Sequence, residues 1–122
     1  GDPKQYFPYF AGFTNEIGRG KGQGYNLNII LPEKTKIDRY IRTLKKTAIP
    51  AIQKFEPDYL IICAGFDTYC LDPIGNFDLK TGDYEKMGKV LKSLNLPTVI
   101  VQEGGYFTKD LGNNVVSFLK GF

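Results

Sequence analysis

Two short segments of the 122-residue chain hold the side chains best suited to chemistry. The first, AGFDTYCLDPIG from Ala64 to Gly75, places Asp67 and Asp72 just beyond an apolar run. A loop aspartate can shape a turn or cap a helix, and Asp72-Pro73 suits that use. A carboxylate just past a central strand is equally well placed to hold a metal. The second segment, EGGYF from Glu103 to Phe107, closes another apolar run with two glycines and Tyr106. Gly104 and Gly105 allow positive φ and close approach of another group to the backbone. Tyr106 can then bond a neighbour as a structural tyrosine, or turn its hydroxyl to a polarised oxygen. Spacing alone leaves these alternatives open.

Other candidates are weaker. GRGKGQG, Gly18 to Gly24, puts glycine at every second position, but it precedes an expected strand. A phosphate cradle runs from a strand into a helix amino terminus, so a tight loop is the better reading. The chain contains no histidine, which removes the usual general base at neutral pH. Its 16 basic and 13 acidic residues are dispersed and give a net charge of +3, too little to argue for nucleic acid or an anionic membrane. No apolar run nears the roughly 20 residues of a membrane-spanning helix. The two cysteines, Cys63 and Cys70, are expected to be free thiols in a reducing cytoplasm.

These residues need elements to position them. Residues 1–24 read as loop, with Tyr6, Phe7, Tyr9, Phe10 and Phe13 among prolines. YNLNIILP, Tyr25 to Pro32, alternates as a first strand with Leu27, Ile29 and Leu31 on one face. A helix starting near Thr35 or Asp38 carries Ile37, Tyr40, Ile41, Leu44, Ala48, Ala51, Ile52 and Phe55 at helical spacing, with a kink or break at Pro50. DYLIICAG, Asp58 to Gly65, and PTVIVQEG, Pro97 to Gly104, are apolar throughout, as in strands covered on both faces. Between them Thr81 to Leu94 reads as a helix burying Tyr84, Met87, Val90, Leu91 and Leu94. A last helix, about Lys109 to Lys120, is expected to bury Leu111, Val115, Val116, Phe118 and Leu119. Alternating strands and helices imply an α/β fold with a parallel sheet. Ligands in such sheets gather at the carboxyl ends of the strands, where Asp67 and Tyr106 both fall.

Four segments, GDPKQYFPYFAGFTNEIGRGKGQGYNLNIILP, FEPDYLIICAGFDTYCLDP, LPTVIVQEGGY and LGNNVVSFLKGF, occur in order and span nearly all of the chain. Together they resemble the carboxy-terminal part of the zinc-dependent histone deacetylase superfamily, most of all its acetylpolyamine amidohydrolase branch. The resemblance implies a three-layer parallel sheet flanked by helices, the arginase/deacetylase-like fold, of which residues 1–122 would form the carboxy-terminal part. It implies that Asp67 binds the catalytic zinc and that Tyr106 points at the substrate carbonyl. It further implies that Phe7 and Ile74 border the acyl channel and that Gly104 lies beside the bound acetyl group. Tyr25 would help hold a structural monovalent cation through its main-chain carbonyl. Glu103 and the Gly-Phe-Asp segment lean towards the polyamine branch, because histone deacetylases usually carry a further glycine where Glu103 stands.

The family's Asp-x-His ligand pair and its tandem histidines lie upstream of the matching region, so the chain is expected to be a fragment. As given, it would hold one of three zinc ligands and no base, and would not hydrolyse amides alone. The expected partners are a small acetylated amine or acetyl-lysine substrate, and either a second copy or the missing amino-terminal part. Neither nucleic acid nor membrane is expected. The alternative reading is a non-catalytic α/β binding or interaction module derived from the same fold.

Overall fold

The computed structural model describes residues 1–122, which form two compact units, Gly1–Glu33 and Lys34–Phe122. The first unit is held by turns and side-chain bonds. Its single helical turn is Gly20–Gly22, with the Gly24 N–H donating to the Ile17 carbonyl at 2.7 Å. That is the tight loop expected of the alternating glycines. The expected strand at Tyr25–Pro32 does not form. Period-two alternation fits a strand, but a strand exists only where a neighbour completes its ladder. Here asparagine side chains hold the segment instead: Asn28 Nδ2 donates to the Phe13 carbonyl at 2.9 Å, and Asn26 Nδ2 to that of Glu16.

The second unit begins with α1 (Ile37–Thr43), a π-helical turn (Leu44–Ala48) and α2 (Ile49–Phe55). Pro50, expected to kink or break this helix, sits in the first turn of α2. It lacks an N–H and its ring crowds the carbonyl four residues back, and the wider π turn just ahead accommodates both defects. β1 (Leu60–Ala64), α3 (Thr81–Lys92), β2 (Thr98–Gln102) and α4 (Thr108–Gly121) follow. β1 and β2 pair in parallel, with Leu60 opposite Thr98 and Ala64 opposite Gln102, so α3 forms a βαβ crossover.

One face of this two-stranded sheet looks into the core. Ile62 and Ile100 pack against a cluster built on Ala64, Phe66, Tyr69, Leu79, Tyr84, Met87 and Phe118. Phe66 is its centre, with its ring 5.1 Å from that of Tyr84 and 6.1 Å from that of Phe118. The other face corrects the expectation of two covered sides: Ile61 is 69% and Val99 60% exposed, and Val101 and Tyr59 are exposed beside them. Apolar residues on both faces of a strand show what it tolerates, not what covers it. Val116 and Leu119, expected in the core, are half exposed on the outer side of α4.

α3 and α4 meet through glycine on both sides. A Cβ on Gly88 would lie 2.4 Å from the Phe118 carbonyl oxygen, and one on Gly121 would lie 2.2 Å from that of Glu85. Across the same interface the Thr81 hydroxyl donates to Asn114 Oδ1 at 2.7 Å, and that of Ser117 to the Thr81 carbonyl at 2.6 Å. Gly88→Ala or Gly121→Ala must therefore push the helices apart. Each is expected to cost about 1–3 kcal/mol, measured as a lower denaturant midpoint in the protein carrying this chain, whereas Gly112→Ala, which meets nothing, should be tolerated.

Candidate active site

The ladder between the strands continues past their ends. Glu103 N–H donates to the Ala64 carbonyl at 3.0 Å, and Phe66 N–H to that of Gly104 at 2.8 Å. These bonds lay residues 64–66 alongside residues 103–104 at the carboxyl end of the sheet. Asp67, the next residue, then rests on Gly104: a Cβ there would stand 2.6 Å from Asp67 Oδ2. The second glycine does something different, because Gly105 takes φ of +134° to turn the chain towards Tyr106. Gly104 makes room for Asp67, and Gly105 makes the turn as well as room for Leu111, whose Cδ1 would lie 2.7 Å from a Cβ there.

The main chain around Asp67 is fixed from several sides. Tyr84, buried on α3, donates its hydroxyl to the Phe66 carbonyl at 3.2 Å and lies 3.1 Å from the Thr68 hydroxyl. Burial pushes the Tyr84 phenol well up, so it stays a donor. Gly75 passes so close to the Asp67 carbonyl that a Cβ would fall 1.5 Å from its oxygen. The Asp67 carboxylate is half-buried, and partial burial, helped by the charge of Asp72, raises its pKa above the ordinary value. A half-buried carboxylate with raised pKa, lying in a notch without a Cβ, is suited to receive a cation.

Asp72 does not share that notch. Its Oδ1 accepts the N–H groups of Ile74 and Gly75, each at 2.9 Å, which closes the turn expected of Asp72-Pro73. Its Oδ2 accepts those of Tyr106 at 2.7 Å and Phe107 at 3.3 Å, across 34 and 35 residues of sequence. Burial alone would raise its pKa, but the four N–H donors outweigh burial and hold it below the ordinary carboxylate value. With two donors on each oxygen its acceptor sites are filled, so of the two readings left open the turn is the one observed. The reach to Tyr106 had no local signal in the sequence. A second tie joins the same regions: the Tyr69 hydroxyl donates to Asp110 Oδ2 at 2.8 Å, in the first turn of α4.

The remaining candidates divide by unit. Tyr106 is 52% exposed and Ile74 59% exposed, and both are bonded through their main chain to Asp72. Phe7 and Tyr25 lie in the Gly1–Glu33 unit, largely exposed. No three His, Cys, Asp or Glu residues cluster so as to hold a metal by themselves. No helix is long and apolar enough to cross a membrane.

Comparison with known proteins identifies the family and the fold. A model of the histone deacetylase domain matches residues 1–122. Acetylpolyamine amidohydrolase 2 of Pseudomonas aeruginosa is 41% identical over all of this chain, which covers 35% of that protein. Histone deacetylase 14 of Arabidopsis thaliana is 34% identical over 111 residues, 86% of this chain and 26% of its own length. The crystal structure of acetylpolyamine aminohydrolase from Burkholderia pseudomallei superposes with a TM-score of 0.94 at 38% identity, covering all of this chain and 35% of that one. The chain thus spans between about a quarter and about a third of the length of these relatives.

The Asp72 bonds carry a pH dependence of stability. A carboxylate whose folded pKa is lowered stabilises the fold fully above its unfolded pKa, about 3.9. That contribution is lost as pH falls from there through the lowered folded value. Urea titrations across the acid range are expected to show this loss in the native protein and a shallower decline in Asp72→Asn, which cannot take up the same proton.

Proposed function

This chain belongs to the histone deacetylase domain family, and from that premise we propose that it is part of a zinc-dependent amidohydrolase that removes acetyl groups from acetylated amines. The observation that carries the reading is the Asp67 carboxylate lying against Gly104, two residues from a phenol whose backbone is pinned. The residues fit a metal: the half-buried Asp67 carboxylate is seated where Gly104 lacks a Cβ, and a cation beside it would offset the burial and the Asp72 charge that raise its pKa. Asp67 would supply one ligand. The chain has no histidine, so imidazole ligands and a histidine base would come from residues outside these 122.

When bound, zinc supplies an activated water and polarises the amide carbonyl. The chain's own part is to receive the acetyl group and meet its oxygen. Gly104 would lie beside the bound acetyl group, next to Asp67. Tyr106 donates its phenol hydrogen to the carbonyl oxygen as negative charge grows there, a preorganised donor of the oxyanion-hole kind. Ile74 would border the acyl channel; Phe7 and the Tyr25 carbonyl, in the other unit, keep the channel and structural-cation roles that the family resemblance implies. The 41% identity to an acetylpolyamine amidohydrolase, over the whole chain, favours an acetylated polyamine over acetyl-lysine as substrate. Two unbridged cysteines accord with a reducing compartment, and we place the protein in the cytoplasm.

In the full-length protein, Tyr106→Phe is expected to lower kcat on acetylated polyamines by about a hundredfold or more with zinc content unchanged, and Asp67→Asn to lose retained zinc as well. Chelation should abolish activity, and added zinc should restore it. Full activity in Tyr106→Phe would end the assignment.

The exposed face of Tyr59, Ile61, Val99 and Val101 leads us to propose that residues 1–122 associate with the rest of their protein or with a second copy. Light scattering on the isolated chain should then report a mass above 13.7 kDa; a monodisperse monomer would count against it.

A further inference from the structure

Asp72 is neither the carboxylate nor the phenol of the proposed reaction, yet it is the buried charge that both loops share. A turn at Asp72-Pro73 needs only the bonds to Ile74 and Gly75. The other oxygen takes Tyr106 N–H and Phe107 N–H, the two amides that flank the Cα of Tyr106. Holding both on one atom fixes the peptide planes before and after that Cα, and with them the direction of its Cα–Cβ bond. The Tyr106 side chain is half exposed, so packing alone does not set its course. Its aim must come largely from the backbone.

We propose that Asp72 is the positioning residue for Tyr106: by accepting the N–H groups on either side of it, Asp72 holds the phenol where its hydroxyl meets the reacting carbonyl. The inference rests on the role given to Tyr106 above. A carboxylate is required because four donors converge, two on each oxygen. Asparagine could satisfy one pair only, and its amide nitrogen would face the other pair donor to donor. Glutamate carries one more methylene than the space between the loops is built for. A donor misplaced by about 1 Å can cost on the order of a hundredfold in rate.

The test is a double-mutant cycle in the full-length zinc-loaded protein with N-acetylated polyamine as substrate. Asp72→Asn is expected to lower kcat about tenfold or more, with KM within about threefold and zinc content unchanged. Combined with Tyr106→Phe, it should cost little beyond Tyr106→Phe alone, because both remove the same hydroxyl from the transition state. Additive losses, a loss confined to KM, or wild-type kcat in Asp72→Asn would overturn the positioning role. If Tyr106→Phe keeps full activity, the role of Tyr106 falls and this one with it. Loss in Tyr106→Phe beside wild-type kcat in Asp72→Asn sinks the positioning role alone. Should Asp72→Asn fail to fold, amide exchange in the native protein decides: Tyr106 and Phe107 should exchange at least about a hundredfold slower than free loop amides, and unprotected exchange overturns the proposal.

Discussion

The parallel ladder between β1 and β2 runs on after the strands have ended, and the candidate site is arranged by that extension. Because Glu103 bonds to Ala64 and Phe66 to Gly104, the two loops leave the sheet in register. Asp67 and Gly104 meet as a direct result. Strand pairing in a βαβ unit thus sets the placement of the candidate carboxylate to within one hydrogen bond. What the ladder cannot set is the chain beyond Gly105, where φ turns positive and the sheet's direction is lost. There the Asp72 carboxylate takes over, and the Tyr69–Asp110 bond anchors the start of α4 to the same loop.

Support for the site comes from behind as well as beside. Tyr84 stands on α3 with its ring against Phe66 and its hydroxyl on the Phe66 carbonyl, one residue before Asp67. α3 is in turn pressed onto α4 through Gly88 and Gly121. α3 therefore reaches the loop through the buried Tyr84, and α4 through Phe118 and Asp110. A change at the far end of α3 that shifted its axis would be felt at Asp67 through Tyr84, without touching the loop itself.

Much of this arrangement was legible in the sequence, for identifiable reasons. The helices of residues 81–92 and 108–121 and the two paired strands announce themselves by period and apolar run, and their ends agree closely with the pattern. Asp67 and the Gly104–Tyr106 turn could be singled out because they follow those strands. The strand expected at Tyr25–Pro32 failed because alternation is local, whereas a ladder needs a partner that no local pattern can promise. The outer faces of β1, β2 and α4 failed for a related reason: Ile61, Val99 and Val116 are apolar yet exposed. Pro50 was read as a kink or local break because the π turn that accommodates it has no sequence signature. Asp72 was half legible. Its turn could be read from Asp-Pro, but its second oxygen serves residues 34 and 35 positions away.

The charge on Asp72 is balanced in an unusual way. Four amide dipoles meet it, and no lysine or arginine pairs with it. Mobile counterions act by competing for charged partners and by screening fields through solvent, and neither route is open to a carboxylate sealed among backbone groups. The surface pairs Lys86–Asp83 and Lys89–Glu85 will loosen as electrolyte is added. The setting of Tyr106 will not, so this corner of the molecule is built to hold its shape across ionic conditions that rearrange the rest of the surface.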